Sequence, residues 1–189
     1  QRYYSRYYPK RLMAEVLLDA VSQVTDVPSA FNEIEYPGAD RRKTDFYPQG
    51  TRAIQLFDSA VSSYFLQTFG RNQRMITCEC ERSDEPSMVQ VLHISNGDTI
   101  NKKLRDPASR VSRLAGEEQN LESLVDQAYL AALSRFPRPD ERRQLVELMQ
   151  ATLNEAADQG EKEQKQARQL ALEDLYWAVL SSREFLFNH

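Results

Sequence analysis

Residues 121–133 read Leu121-Glu-Ser-Leu-Val-Asp-Gln-Ala-Tyr-Leu-Ala-Ala-Leu133, and Phe136-Pro137-Arg138-Pro139 follows them. Apolar side chains at 121, 124, 125, 128, 129, 132 and 133 recur in steps of three and four, which is one face of an α-helix. The two prolines force a rigid turn. Pro139 with Asp140 and Glu141 then opens another helix, since a missing N–H costs nothing at the first position and acidic groups suit the positive helix start. Leu145, Leu148, Met149 and Leu153 form its stripe. A further helix is expected from about Gln164 to Ser182. Leu170, Ala171, Trp177 and Ala178 mark one of its faces, and Leu172, Leu175, Tyr176, Val179 and Leu180 mark the adjacent one. So wide an apolar arc predicts burial between partners, with Trp177 packed inside.

Upstream the pattern is less regular. Met13, Val16, Leu17, Ala20, Val21 and Val24 predict an amphipathic helix over 12–24, stopped ahead of Pro28. Pro28, Pro37, Gly38 and Pro48 break any period from 28 to 51, a long excursion of the kind that covers or binds something. Phe31, Tyr36, Phe46 and Tyr47 are expected to pin it to the body. Asp58 is read as the cap of a short helix carrying Val61, Tyr64, Phe65 and Thr68, ended by Gly70. Residues 73–80 read as extended. Helices follow around Met88, Val91 and Leu92, and from Asp98 through Ile100 to Leu104. The fold class is therefore mainly α: an irregular helical bundle with a long loop excursion and at most a short extended segment. Residues 1–189, which begin with Gln1 and not Met, read as a single helical domain trimmed from a longer chain, with an irregular helical half over 1–110 and a three-helix unit over 111–189.

Composition narrows the function classes. Hydrophobic residues at 41% and charged residues at 28% place the chain among globular proteins rather than disordered ones. The formal charge of -4 argues against nucleic acid, which calls for a basic stripe. Arg2, Arg6, Lys10 and Arg11, among four tyrosines, read instead as a solvated face where the first helix begins. No apolar run reaches the roughly 20 residues that cross a bilayer.

Chemistry concentrates in Thr77-Cys78-Glu79-Cys80-Glu81-Arg82. On an extended chain Cys78 and Cys80 share one face about 6.6 Å apart, while Glu79 and Glu81 share the other. A direct disulfide needs Cβ atoms near about 3.8 Å, so it would require a kink. Zinc asks for four ligands, and only His93 and a carboxylate could join the two thiols here. The expectation is two structural thiols and no metal. The open alternatives are a disulfide, or a site built on Cys78, Cys80 and His93. The carboxylates Glu79, Glu81, Asp84 and Glu85 could serve acid–base chemistry, as in glycoside cleavage. The plainer reading pairs Arg71, Arg74 or Arg82 with Glu79, Glu81 or Glu85 to fix the segment. No phosphate loop, dinucleotide fingerprint, nucleophile elbow, HExxH helix or haem-attachment motif is present. The residues thus call for no cofactor and leave catalysis open. The candidate cluster is Arg71, Arg74, Cys78, Glu79, Cys80, Glu81, Arg82 and His93.

A set of ordered motifs carries a resemblance. Arg11-Leu-x-Ala-Glu15 with Asp19-Ala20, Phe69-Gly70-Arg71, Cys78-Glu-Cys-Glu-Arg82, Gln90-x-Leu92, Asn96-Gly97, Ala132-Leu-Ser-Arg-x-Pro137 and Trp177-Ala-x-Leu-x-Ser182-x-Glu-Phe-Leu186 run along essentially the whole chain. They resemble the C-terminal domain of unknown function (DUF1553-like) of large exported planctomycete-type proteins, which often also carry a cytochrome c domain. The resemblance implies an uncharacterised structural or interaction domain in the periplasm or at the cell surface. Its implied partners are other domains of the same polypeptide and a protein or carbohydrate. The alternative it leaves is part of an enzyme acting on carbohydrate or in surface redox chemistry, or a metal- or small-ligand-binding module. It transfers no catalytic residue and no haem, and it implies that further helices precede this chain in its parent.

Overall fold

The computed structural model describes residues 9–36, 38–57, 60–71, 89–90 and 98–188. Its helices are α1 (Ala14–Thr25), α2 (Tyr64–Thr68), α3 (Asp98–Leu104), α4 (Arg110–Glu117), α5 (Leu121–Leu133), α6 (Pro139–Glu155), α7 (Glu161–Leu180) and α8 (Arg183–Leu186). A two-residue antiparallel ladder joins β1 (Glu33–Ile34) to β2 (Arg42–Lys43), with Glu33 opposite Lys43 and Ile34 opposite Arg42. Among the described residues the fold is mainly helical with one small extended element, the class the sequence patterns predict; the ladder lies in the excursion, and the extended stretch expected over 73–80 lies outside the described residues.

Two helices organise the rest. α7 packs on α3, α4, α5, α6 and α8, while α1 packs on α2, α3, α4, α5 and a 3₁₀ turn at Ala53–Gln55. Only one of the two apolar faces of α7 is deeply enclosed. Leu172, Leu175, Tyr176, Val179 and Leu180 are buried; on the other face Ala171 is buried too, but Leu170 and Ala178 are exposed and Trp177 is partly covered. The wide arc read from the sequence therefore overstates the burial, and Tyr176 takes the central place expected of Trp177. On α6, Met149 is buried but Leu148 is 65% exposed, because this helix is covered on one side by α5 and α7.

Local signals set the helix ends. Ala14, Leu17, Leu18, Val21 and Val24 form the buried stripe of α1, while Met13 lies outside the helix and is exposed. Asp26 ends α1 in the left-handed region at φ +58. From there its carboxylate accepts from Arg110 at 3.0 Å and Arg113 at 2.7 Å, tying α1 to α4. α2 is shorter than expected and is capped by Ser63, whose Oγ accepts from the Leu66 N–H. Val61 precedes it in an isolated bridge to Ile34, and Gly70 closes the turn at φ +91. Asp58 lies outside the described residues. In the excursion Phe31 is buried and Tyr47 packs against the core, but Tyr36 and Phe46 face solvent.

The two ends of the described chain are stitched together. The Leu12 N–H donates to Leu186 at 3.0 Å, and the Asn188 N–H donates to Lys10 at 2.8 Å. A second clasp involves Arg135, in the turn after α5. It donates to both oxygens of Glu184 at 2.6 and 2.7 Å and to both oxygens of Glu141 at 3.0 and 3.2 Å. Its guanidinium also lies 5.1 Å from the Tyr129 ring centroid. One side chain thus fixes α5, α6 and α8 through paired charge-assisted bonds.

Two predictions follow from this packing. The Tyr176 hydroxyl is buried with no hydrogen-bond partner among the described residues, and burial pushes its pKa up to about 12. Tyr176→Phe should therefore change stability by less than about 1 kcal/mol, whereas Tyr176→Ala should cost about 3–5 kcal/mol through the cavity. Urea denaturation separates the two, and a Phe variant as weak as the Ala one would show that the hydroxyl is held. The second prediction concerns Arg135, whose hydrogen bonds hold the Glu141 carboxyl below its ordinary range. A depressed folded-state pKa contributes stability above the unfolded value of about 4.3, which is lost as pH falls through the folded value. Arg135→Met should lower the melting temperature at pH 6 and flatten its decline on acidification from pH 5, as followed by circular dichroism. An unchanged acid limb would contradict this.

Candidate functional site

Of the candidate cluster, Arg71 is the member among the described residues. Arg74, Cys78, Glu79, Cys80, Glu81, Arg82 and His93 lie outside them, as do the expected carboxylate partners Glu79, Glu81 and Glu85. Of the helix expected near Met88, only Val89 and Gln90 are described. Gln90 is buried, and its amide donates to the Thr68 carbonyl at 3.1 Å.

Arg71 follows the glycine turn after α2 and points inward. Its Nε lies 3.5 Å from Glu15 Oε1, and both side chains are more than nine-tenths buried. Its Nη2 donates to the Leu56 carbonyl at 3.4 Å. The sequence explains why Glu15 is there, since it sits between Ala14 and Leu17-Leu18 on the apolar face of α1. Arg11 completes the arrangement one turn earlier. Its Nη2 donates to the Phe69 carbonyl at 3.0 Å, and its guanidinium stands 5.3 Å from the Phe69 centroid. Phe69 in turn stacks on Phe65 with centroids 4.4 Å apart. Arg11 is therefore a partly buried contact and not the solvated charge the sequence reading expects.

Asp19, one turn beyond Glu15, accepts from the Ala53 and Ile54 N–H groups at 2.6 and 3.0 Å. It thereby satisfies the exposed donors at the start of the 3₁₀ turn. Glu15, Asp19, Phe69 and Arg71 thus join α1, the 3₁₀ turn and the α2 turn into one ionic and aromatic centre. Chemically that centre is occupied: each carboxylate accepts from, or is paired with, a donor. Such an arrangement fixes one packing.

Open space lies elsewhere. A cleft of about 320 Å³ is walled by Leu18, Phe31, Phe65 and Lys103, and a groove of about 690 Å³ runs past Gln119, Gln150, Asn154 and Arg168. Among the described residues no three His, Cys, Asp or Glu side chains are grouped to hold a metal ion. No helix of the described residues is long and apolar enough to cross a membrane. The sequence reading missed Lys103, although a signal was available: Ile100, Lys103 and Leu104 lie on the buried face of α3.

Breaking the Glu15–Arg71 pair from one side would leave a buried charge. Glu15→Gln or Arg71→Met should cost about 3–5 kcal/mol, whereas the double variant Glu15→Leu/Arg71→Met should recover more than half of that loss. A double-mutant cycle in urea measures this. Single variants costing under about 1 kcal/mol would make the pair a surface-type contact.

Searches among curated proteins and among solved structures found no match. A family model does match, over residues 1–149, and that stretch contains Glu15, Asp19, Phe69, Arg71 and Arg135; the closing run Trp177–Leu186 lies beyond it. By that match the chain belongs to the PSD1 family, described as protein of unknown function (DUF1553).

Proposed function

We propose that this chain is a non-catalytic structural or interaction domain of a large exported, planctomycete-type multidomain protein, working in the periplasm or at the cell surface. Its partners in this reading are other domains of the same polypeptide, among them a cytochrome c domain. Family membership supports an uncharacterised domain, and the motif resemblance supports the exported setting. The observation that carries the docking role is a trio of aromatic rings on the excursion between α1 and α2. Phe46 lies 5.0 Å from Tyr47 and 5.3 Å from Phe57, centroid to centroid, and Tyr47 lies 5.7 Å from Phe57. Phe46 and Phe57 are 63% and 67% exposed, and Ile54 beside them is 48% exposed.

Rings packed edge to edge form a preordered apolar knob, and grouped exposed apolar side chains of this kind mark interaction surfaces. The knob stands on a base that is already fixed. Asp19 holds the 3₁₀ turn beneath it, and Arg41 bridges Glu33 and Glu35 at 3.4 and 3.2 Å across the small ladder. A rigid base lowers the ordering cost of docking.

Hydrogen exchange tests the reading by comparing residues 46–57 in the isolated chain and in the full-length polypeptide. Protection should rise in the longer protein, and Phe46→Ser with Phe57→Ser should abolish the rise while shifting the isolated chain's stability by only about 0.5 kcal/mol per site. Equal exchange in the two contexts would refute docking through this face.

A further inference from the structure

Lys103 is buried at 7% exposure, whereas Lys10, Lys43, Lys102, Lys162 and Lys165 are all exposed. Its Nζ donates to the Val27 carbonyl at 2.6 Å, just past the end of α1. Lys103 and Val27 both border the cleft of about 320 Å³ between α1, α2 and α3. Leu18, Phe31 and Phe65 supply its apolar wall, and Ser29, Ser63 and Thr99 supply hydroxyls. A few polar groups on an apolar wall, at the small end of ligand-pocket volumes, suit a compact organic molecule.

We propose that Lys103 is a carbonyl-reactive lysine and that this cleft admits a small aldehyde or ketone, which condenses with its amine to an imine. The neutral amine's lone pair forms the C–N bond as the carbonyl π pair moves to oxygen. One proton passes from nitrogen to that oxygen, giving a carbinolamine, and loss of water then leaves C=N. One amine and one carbonyl compound become one imine and one water, with no oxidant or reductant. The second N–H of a neutral amine can keep its bond to Val27 until the imine forms. The cleft hydroxyls are suited to hold the carbinolamine oxygen.

Burial makes the free amine accessible at ordinary pH. Desolvation lowers the Lys103 pKa to about 8, against the opposing fields of Asp106 and Asp19. Among the described residues, Asp106, Lys102 and Tyr64 are the other titratable side chains on the cleft wall. At pH 7.5 about a quarter of such a group is unprotonated, on the order of a hundredfold more than for a lysine of ordinary pKa near 10.4. This inference goes beyond the docking role and does not depend on it.

The test treats the intact chain at pH 7.5 with limiting propanal and sodium cyanoborohydride, which fixes the imine as a secondary amine, and maps adducts by peptide mass spectrometry. Lys103 should carry at least tenfold more adduct than any exposed lysine, and denaturant should erase the preference. Lys103→Arg, which retains a donor for Val27, should leave labelling elsewhere unchanged. Labelling of Lys103 no greater than that of the exposed lysines would overturn the proposal. So would a preference that survives denaturation, because it would then come from local sequence and not from the cleft.

Discussion

A carboxylate on the inward face of α1 meets a guanidinium from the turn after α2, and both are shut away from water. Desolvating two such groups costs several kcal/mol, so the pair persists only because geometry and further hydrogen bonds offset that cost. The requirement is strict about position. Glu15 must sit on the buried stripe of α1, Gly70 must turn the chain at positive φ, and Leu56 must present its carbonyl. Three separate stretches of the first half are therefore placed relative to one another by one electrostatic condition. Apolar packing alone would accept small slips among them; a buried charge pair would not.

Arg135 performs a related task in the second half, under wetter conditions. It gathers Glu141 and Glu184 around the proline turn, and the Tyr129 ring lies against its face. Because the site is partly exposed, its contribution is more sensitive to salt and acid than that of the interior pair. Between the two clusters runs one continuous apolar core, from Leu17 and Val21 of α1 to Leu172 and Leu180 of α7. The family motifs thus acquire a physical meaning: the Arg11–Glu15 stretch, Phe69–Arg71 and the Arg135 turn are where charge, ring stacking and chain reversal coincide.

Those positions also show what a sequence can disclose. The stripe from Leu121 to Leu133 is legible because its period is uninterrupted and a proline turn bounds it. Periodicity identifies a face but not how much of that face a neighbour covers, so Met13, Leu148 and Trp177 are more open than their spacing suggests. Ser63 and Asp58 are equally good caps on chemistry alone, and the bridge from Val61 to Ile34 decides for Ser63 by keeping the preceding residues extended. Pairing across long separations leaves no local trace, which is why the partnership of Glu15 with Arg71 emerged only from the fold. Lys103 was hidden by habit: a lysine beside a lysine reads as solvent-facing, although its spacing from Ile100 put it on the apolar side.

The bridge between residues 10–12 and 186–188 has a mechanical consequence. Its two hydrogen bonds hold antiparallel segments whose outer residues, Lys10 and Asn188, lie side by side. Tension applied through those ends would load the bonds one after another, as a zipper opens, and not together in shear. The bridge would therefore part at low force, while the bonds from Arg135 to Glu184 and the buried Phe185 and Leu186 keep α8 in place. Stretching or flow would then be absorbed at this clasp, and the aromatic face and the Lys103 cleft would keep their shape.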